Sequence, residues 1–174
     1  FRIDRGLLIR QLTSMSIKLG VAGAGSMGRN HARVLSQLED VELVGVFDAQ
    51  PDRAREVAAE FGVQAFSALQ DLAERCQGVA VAVPTVAHRE VGCTLLDASC
   101  HILIEKPIAP SVEDARELVD RAKAAGKVLQ VGHIERFNPV MKSLEAKLDR
   151  PKFIEAHRLS PFPNRSVDIG VVLD

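Results

Sequence analysis

The sequence predicts a doubly wound α/β fold, in which helices cover both faces of a mostly parallel sheet. Between Ile17 and Gly132, short apolar runs alternate about five times with segments of helical periodicity. Each helical segment is long enough to cross back over a sheet, as a connection between parallel strands must. The run Gly78–Val83 contains no polar side chain, which is typical of a strand buried on both faces.

The periodicity gives bounds for each element. Strands are predicted at residues 17–22, 41–47, 63–66, 78–83, 101–105 and 128–132. Helices are predicted at residues 26–38, 51–61, 67–75, 86–98 and 111–125.

Two of these helices carry recognisable end signals. Pro51 stands where the first position of a helix is expected, and Gly62 follows that helix as its stop. Ser111 is a predicted N-cap, with Asp114 three residues on as a variant of the capping box, and Gly126 ends the same helix.

Composition narrows the class of protein. Apolar residues make up 47% and charged residues 26% of the 174 residues, and the net charge is −1. These values are ordinary for a globular protein, and we expect neither a nucleic-acid nor a membrane partner. The three cysteines show no C-x-x-C spacing, which favours reduced core thiols, a cytoplasmic location and no metal site.

A glycine-rich turn follows the first predicted strand and opens the first predicted helix. The run Gly23-Ala24-Gly25-Ser26-Met27-Gly28 has the form G-x-G-x-x-G. In this context the glycines allow a tight turn, close approach of a pyrophosphate and close helix–strand packing, while the helix N-terminus attracts the anion. The turn therefore predicts a Rossmann-like dinucleotide-binding domain.

Asp48 ends the second strand, about 20 residues after the glycine-rich turn. A carboxylate there accepts hydrogen bonds from the adenosine ribose and repels a 2′-phosphate, so NAD is favoured over NADP. Arg53 lies nearby in the sequence and could weaken that preference. The alternative for Asp48 is a solvated residue at a strand end.

Several separated motifs resemble the Gfo/Idh/MocA family of sugar and inositol dehydrogenases. They are Gly23–Gly28, Pro84-Thr85-x-x-His88, Glu105-Lys106-Pro107 and Gly132-His133-x-x-Arg136-Phe137-Asn138-Pro139. The resemblance covers roughly residues 16–174. The form of the last motif is similar to that of family members acting on nucleotide-linked amino sugars, such as UDP-N-acetylglucosamine 3-dehydrogenases.

The resemblance implies a role for each of these residues. Lys106 would lie beside the nicotinamide, contact the substrate hydroxyl and help to move its proton, and its bond to Pro107 would be cis. Glu105 and Lys106, with Pro84, Thr85 and His88, would lie near the cofactor. Substrate contacts are expected from His133, Arg136, Asn138 and Arg165. Each role has an alternative. Lys106 could be a surface lysine, His88 a helix-cap histidine and Arg165 a solvated arginine. The residues His133, Arg136 and Asn138 could form an interdomain polar network. His31 and His101 are interpreted as structural.

The pattern of the sequence also predicts a division of the chain. Residues 1–14 are interpreted as leader or upstream sequence, with Met15 as the start, residues 15–136 as the NAD-binding domain, and residues 137–174 as the beginning of an α+β substrate and oligomerisation domain. In that last part, 138–148 is a predicted helix and 152–159 a predicted strand. The full-length protein is expected to be a homo-oligomer.

One family motif is approached but not reached. Asp168–Asp174 resembles the lead-in to an aspartate followed four places on by an acid/base histidine, which would fall past Asp174. We therefore expect this polypeptide to bind cofactor but to be a poor enzyme or inactive.

Two functions remain open from the sequence. One is a dehydrogenase of a sugar, cyclitol or nucleotide-sugar alcohol. The other is a non-catalytic dinucleotide-binding sensor, for which Lys106 has no evident use.

Overall fold

A computed structural model describes residues 16–145, 147–150, 152, 153, 155 and 157 of the chain. Its sheet contains six strands in the order β3-β2-β1-β4-β5-β6, and every pair is parallel. The strands are β1 (Ile17–Ala22), β2 (Val41–Phe47), β3 (Gln64–Phe66), β4 (Gly78–Val81), β5 (His101–Ile104) and β6 (Leu129–Val131). The strand order reverses between β1 and β4, which confirms the predicted doubly wound sheet.

Helices follow the strands as the sequence predicts. They are α1 (Ser26–Leu35), α2 (Pro51–Phe61), α3 (Leu69–Ala73), α4 (His88–Asp97), α5 (Val112–Ala125) and α6 (Pro139–Glu145). Two short 3-10 turns, Thr85–Ala87 and Ile134–Phe137, precede α4 and α6.

The predicted helix ends are confirmed. Pro51 begins α2, and Gly62 ends it with a left-handed φ of 66°. At α5 the backbone N–H of Asp114 donates to Oγ of Ser111 over 3.1 Å, and Gly126 ends the helix at φ 63°. Only glycine adopts that conformation without a steric cost, so the sequence marks these ends strongly.

Other bounds differ from the predictions by a few residues. The first helix stops at Leu35 instead of Leu38, because Oγ of Ser36 donates to the carbonyl of Arg33 and the next turn tightens. The segment predicted as one helix from Val86 to Ala98 divides into a 3-10 turn and α4. The strands β3 to β6 are each shorter than their apolar runs.

Two apolar clusters lie on opposite faces of the sheet. Val21 and Ala80 belong to the cluster beneath α1 and α2, whereas their chain neighbours Ala22 and Val81 belong to the cluster beneath α3, α4 and α5. Successive residues of a strand point to opposite faces, so this division shows that helices cover both sides. All three cysteines are free thiols, and Cys93 and Cys100 are buried.

The segment after β6 packs less closely. Phe137 is 70% exposed, and Val140 and Met141 of α6 are also exposed. The predicted helix at 138–148 is present as α6, whereas the described residues of the predicted strand at 152–159 are not in a strand. Residues 1–14, Arg165 and Asp168–Asp174 lie outside the described residues, so the division into leader and two domains stays a prediction.

Candidate functional site

The glycine-rich turn joins β1 to α1 at the carboxyl edge of the sheet. Gly23 has a φ of +101°, and a Cβ there would lie 2.5 Å from the carbonyl oxygen of Ala82 in the loop after β4. A Cβ on Gly28 would overlap the carbonyl oxygen of Gly23. Both positions therefore require glycine, because the turn, the helix and the neighbouring loop approach one another at backbone distance.

Gly25 is different, because a Cβ there would meet nothing within 4 Å. It is also the N-cap of α1, and no side chain caps that end of the helix. The N-terminus of a ten-residue helix thus faces open space with backbone N–H groups available to an anion. A bound pyrophosphate needs the space beside Gly25, which any side chain at this position would fill. The turn therefore fits a dinucleotide. Ala24, Ser26 and Met27 complete the turn.

Asp48 lies immediately after β2, beside the glycine-rich turn. Its Oδ2 accepts a hydrogen bond of 2.7 Å from the backbone N–H of Ala24, and its Oδ1 accepts one of 2.8 Å from that of Gln50. These bonds hold the carboxylate against the turn, and each oxygen keeps a lone pair for a further donor. The nearby Arg53 is exposed on the first turn of α2.

The loop after β4 brings Pro84, Thr85 and His88 to the same edge. Pro84 is exposed and Thr85 is buried. His88 is 1% exposed, with Nδ1 2.9 Å from the carbonyl oxygen of Pro107 and Nε2 3.0 Å from that of Val83. Both ring nitrogens thus face backbone within the protein, and the predicted contact of His88 with the cofactor stays a prediction.

The exit of β5 carries Glu105, Lys106 and Pro107. Oε1 of Glu105 accepts a 2.8 Å hydrogen bond from Nε2 of His31, and Oε2 accepts one of 3.3 Å from the backbone N–H of Lys106. The hydrogen bond from His31 lowers the pKa of Glu105 against the opposing effect of burial, so its carboxylate stays ionised. The peptide bond between Lys106 and Pro107 is cis, as predicted.

Gly132 makes room for Glu105. A Cβ at position 132 would lie 3.2 Å from the Glu105 carboxylate. The glycine of the motif Gly132-His133 therefore has a packing role that the resemblance alone does not explain.

The predicted substrate residues follow β6. His133 and Arg136 are exposed, whereas Asn138 is half-buried. Nδ2 of Asn138 donates to Glu135 over 2.9 Å, and Oδ1 accepts from the backbone N–H of Val140 over 3.0 Å at the start of α6. Asn138 thus has a local capping contact, and substrate binding by these residues stays a prediction.

His31 is the residue at this site that the sequence reading interpreted as structural. It lies on α1 three positions after Gly28, which places both on one face of the helix. Because Gly28 is the closest approach of α1 to the turn, that spacing signals that His31 faces the sheet edge. Its contact with Glu105, 74 residues away, joins the phosphate-binding helix to the exit of β5.

Among the residues that the structure describes, no helix combines the length and apolarity needed to cross a membrane. Nor do the histidine, cysteine, aspartate and glutamate side chains of these described residues form a group of three that could hold a metal ion.

A family model for an NAD-binding Rossmann fold, the Gfo/Idh/MocA oxidoreductases, matches residues 17–133, which is more than half of the chain. The chain belongs to this family. The match covers the whole sheet and every site residue from Gly23 to His133, and it agrees with the observed strand order.

The curated relatives include dehydrogenases of sugars and of a cyclitol. The chain is 38% identical to UDP-N-acetylglucosamine 3-dehydrogenase of Acidithiobacillus ferrooxidans over 91% of its own length and 50% of the relative's. It is 34% identical to glucose-6-phosphate 3-dehydrogenase of Bacillus subtilis, covering 69% of this chain and 34% of that relative. Inositol 2-dehydrogenase of Corynebacterium glutamicum is also 34% identical, over 75% of this chain and 40% of that relative.

Solved structures of this Rossmann-fold family superpose on the chain. The Acidithiobacillus ferrooxidans enzyme, UDP-N-acetylglucosamine 3-dehydrogenase GnnA, gives a TM-score of 0.84 over 92% of this chain and 52% of its own, at 38% identity. GenD2 from gentamicin A biosynthesis, solved in complex with NAD, gives a TM-score of 0.74 over 80% of this chain and 40% of its own, at 28% identity. The chain thus spans about half, or less, of the length of these proteins.

Proposed function

We propose that this chain supplies the cofactor-binding half of an NAD-dependent dehydrogenase that oxidises or reduces a secondary alcohol of a sugar, cyclitol or nucleotide sugar. The observation that carries the proposal is the arrangement of Gly25, Asp48 and Lys106 at one sheet edge. An open anion-binding turn, a fixed carboxylate and a lysine follow β1, β2 and β5 in turn.

The chain's own groups supply the binding. The N–H groups at the start of α1 bind the pyrophosphate beside Gly25, and the Asp48 carboxylate accepts hydrogen bonds from the adenosine ribose. Because Asp48 is already held by two backbone N–H groups, it presents its remaining lone pairs without reorganisation. The same negative charge disfavours a 2′-phosphate, which supports NAD over NADP.

Lys106 supplies the acid–base chemistry. Bound NAD would supply the acceptor for the hydride that leaves the alcohol carbon. Loss of that hydride must accompany loss of the hydroxyl proton, which the Lys106 side chain accepts in its neutral amine form. In the reverse direction the Lys106 ammonium donates that proton to the developing alkoxide and stabilises its negative charge.

A nucleotide-linked amino sugar is the substrate class we favour. The support is the motif Gly132-His133-Ile134-Glu135-Arg136-Phe137-Asn138-Pro139 together with the similarity to a UDP-N-acetylglucosamine 3-dehydrogenase. His133, Arg136 and Asn138 follow β6, and the exposed guanidinium of Arg136 suits a phosphate. We also propose that the enzyme acts as a homo-oligomer.

Cofactor binding tests the first part of the proposal. NADH and NADPH are titrated into this chain, and nicotinamide fluorescence is followed. We expect the chain to bind NADH more tightly than NADPH. The difference between the two affinities should be smaller in the Asp48→Ala variant. Equal or tighter binding of NADPH by the unaltered chain would contradict the role of Asp48, and failure to bind either cofactor would contradict the proposed function.

Turnover tests the role of Lys106. The chain is fused to the second half of the Acidithiobacillus ferrooxidans relative, and NADH formation is measured with UDP-amino sugars, inositols and free hexoses. Lys106→Ala should lower kcat by about 10²–10⁴-fold and leave NADH affinity nearly unchanged. The matched control is Lys123→Ala, an exposed lysine near the end of α5. A fusion that binds NADH yet oxidises none of the panel would favour the sensor alternative.

A further inference from the structure

The two chain neighbours of Lys106 are both held by histidines from other parts of the fold. His31 of α1 contacts the Glu105 side chain, and His88 of α4 contacts the Pro107 carbonyl oxygen. Lys106 lies between these two anchored residues, and its own backbone N–H donates to Glu105. The lysine's backbone is therefore fixed on both sides by contacts that are distant in sequence.

The His31 contact is a charge-assisted one. The side chains of His31 and Glu105 are 17% and 11% exposed, and their 2.8 Å contact joins an N–H donor to a carboxylate that is kept ionised. Hydrogen bonds to an ionised acceptor are stronger than neutral ones, and little solvent competes for this one. The Glu105 carboxylate packs beside Gly132, where a Cβ would lie 3.2 Å from it, so the contact with His31 depends on the absence of a side chain at position 132.

The His88 contact joins two loops. Its ring is almost completely buried and reaches the carbonyl oxygens of Val83, after β4, and Pro107, after β5. Both partners are hydrogen-bond acceptors, and the tautomer of the ring decides which nitrogen donates. The buried ring lies between the two loops and so sets the distance between them. His88 is thus occupied with backbone rather than available to a ligand through its nitrogens.

We propose that His31 and His88 are positioning residues that hold the Lys106 backbone between them and so aim its ammonium at the reacting centre. This rests on the proposed function for the role of Lys106, but the anchoring itself can be measured without cofactor. The two histidines act from opposite sides: His31 couples the lysine to the phosphate-binding helix, and His88 couples it to the loop after β4.

The experiment follows the Lys106 side chain by NMR. Lysines of the whole chain are reductively methylated with ¹³C, and the Lys106 signal is assigned with Lys106→Arg. In His31→Leu and His88→Leu we expect this signal to shift, while that of Lys123 stays in place. In the unaltered chain NADH should move the Lys106 signal, and both variants should lose most of that movement while still binding NADH.

Conservative and control variants separate positioning from general damage. Glutamine keeps an N–H donor, so His31→Gln and His88→Gln should recover the original signal in large part. His101→Leu is the matched control, because Nδ1 of His101 also accepts a backbone hydrogen bond, from Val128, but at the opposite end of β5. Should His88→Leu fail to fold, the partly exposed His31 and the two glutamine variants still carry the test.

The outcomes are distinct. Unchanged Lys106 signals in folded histidine variants, or equal shifts in His101→Leu, would overturn the positioning role. A Lys106 signal that moves in the variants, in a chain that does not bind NADH, would uphold the anchoring and contradict the proposed function instead. A lower melting temperature with an unmoved Lys106 signal would assign the histidines to stability alone.

Discussion

The two edges of the parallel sheet are built from different contacts. At the amino edge, hydrogen bonds join residues at the starts of neighbouring strands. The backbone N–H of Lys18 donates to Oε1 of Gln77 over 2.9 Å, and the backbone N–H of Val128 donates to Nδ1 of His101. At the carboxyl edge, side chains reach across loops to other helices and strands, as His31 and His88 do. The amino edge is thus held by contacts between neighbouring strands, whereas the carboxyl edge brings together side chains and loops from different elements of the fold.

Glycines make the difference clear. Gly28 at the carboxyl edge has no space for a Cβ, because backbone lies against it. Gly78 at the amino edge has as its nearest neighbour the end of the Leu19 side chain, 3.1 Å from a Cβ, with the carbonyl oxygen of His101 at 3.2 Å. Of these two glycines, only Gly28, beside the proposed ligand site, has backbone at a distance where a Cβ would overlap it.

The largest effect is expected from Gly28→Ala. The new Cβ would overlap the Gly23 carbonyl, and neither backbone can move without disturbing β1 or α1, so we expect a loss of about 3 kcal/mol or more in unfolding free energy. Urea denaturation followed by circular dichroism measures it. A change below about 1 kcal/mol would mean that the turn is looser than the structure indicates.

Gly25→Ala should affect binding and not folding. Its Cβ enters open space at an ordinary extended conformation, so we expect the unfolding free energy to change by less than about 1 kcal/mol. The methyl group occupies the proposed pyrophosphate position, so NADH affinity should fall about tenfold or more, which is about 1.4 kcal/mol. Fluorescence titration of the folded variant gives the result, and unchanged affinity would argue against that position.

Acid should weaken the carboxyl edge through Glu105. The pKa of Glu105 is lowered in the folded chain, chiefly by its hydrogen bond from His31, so ionised Glu105 adds stability above the ordinary glutamate pKa of about 4.3. That contribution is lost as the pH falls through the lower folded-state pKa. Urea unfolding across acidic pH should therefore show a shallower decline in Glu105→Gln than in the unaltered chain.

Glu117 on α5 provides the comparison for that titration. Its pKa is also lowered, first by the hydrogen bond from Arg89, but the pair is solvent-exposed and screened. The acid dependence removed by Glu117→Gln should be smaller and should vanish in high salt. If the two variants behave alike, the burial of Glu105 contributes little.

The smallest effect is expected from Gly78→Ala. The Leu19 side chain can turn away from the new methyl group, and the His101 carbonyl needs to yield by only a few tenths of an ångström. We expect a change within about 1 kcal/mol by urea denaturation and no change in NADH affinity. A loss as large as that of Gly28→Ala would remove the contrast between the edges.

The sequence predicted what local rules control. The glycines, Pro51 and Ser111 mark turns and helix ends by conformation alone, so those bounds were correct. The motif spacing also predicted that Asp48 ends the second strand within the same nucleotide-binding site as the glycine-rich turn. In the structure its carboxylate accepts a hydrogen bond from that turn. Where the first helix ends was missed, because a competing hydrogen bond from Ser36 decides it.

The contacts of the two histidines could not be read from the sequence. The spacing from Gly28 indicates that His31 faces the sheet edge, but Glu105 is 74 residues away, and no local rule says which strand exit the histidine meets. His88 was predicted near the cofactor from its place in a motif, whereas its two backbone contacts depend on how closely the loops after β4 and β5 approach each other. Such distances are set by packing of the whole sheet.

The reversal of strand order between β1 and β4 has a consequence for how the chain folds. Strands β1 to β3 extend the sheet in one direction and β4 to β6 in the other, so the strands of the two halves are hydrogen-bonded to each other only through the β1–β4 pair. The contacts of Gly23 with Ala82 and of His31 with Glu105 both cross that seam. Because closing the long loop between such distant residues costs entropy, we expect these contacts, and with them the site, to form late in folding. Nucleotide binding during refolding would then report the union of the two halves, later than the first appearance of helix.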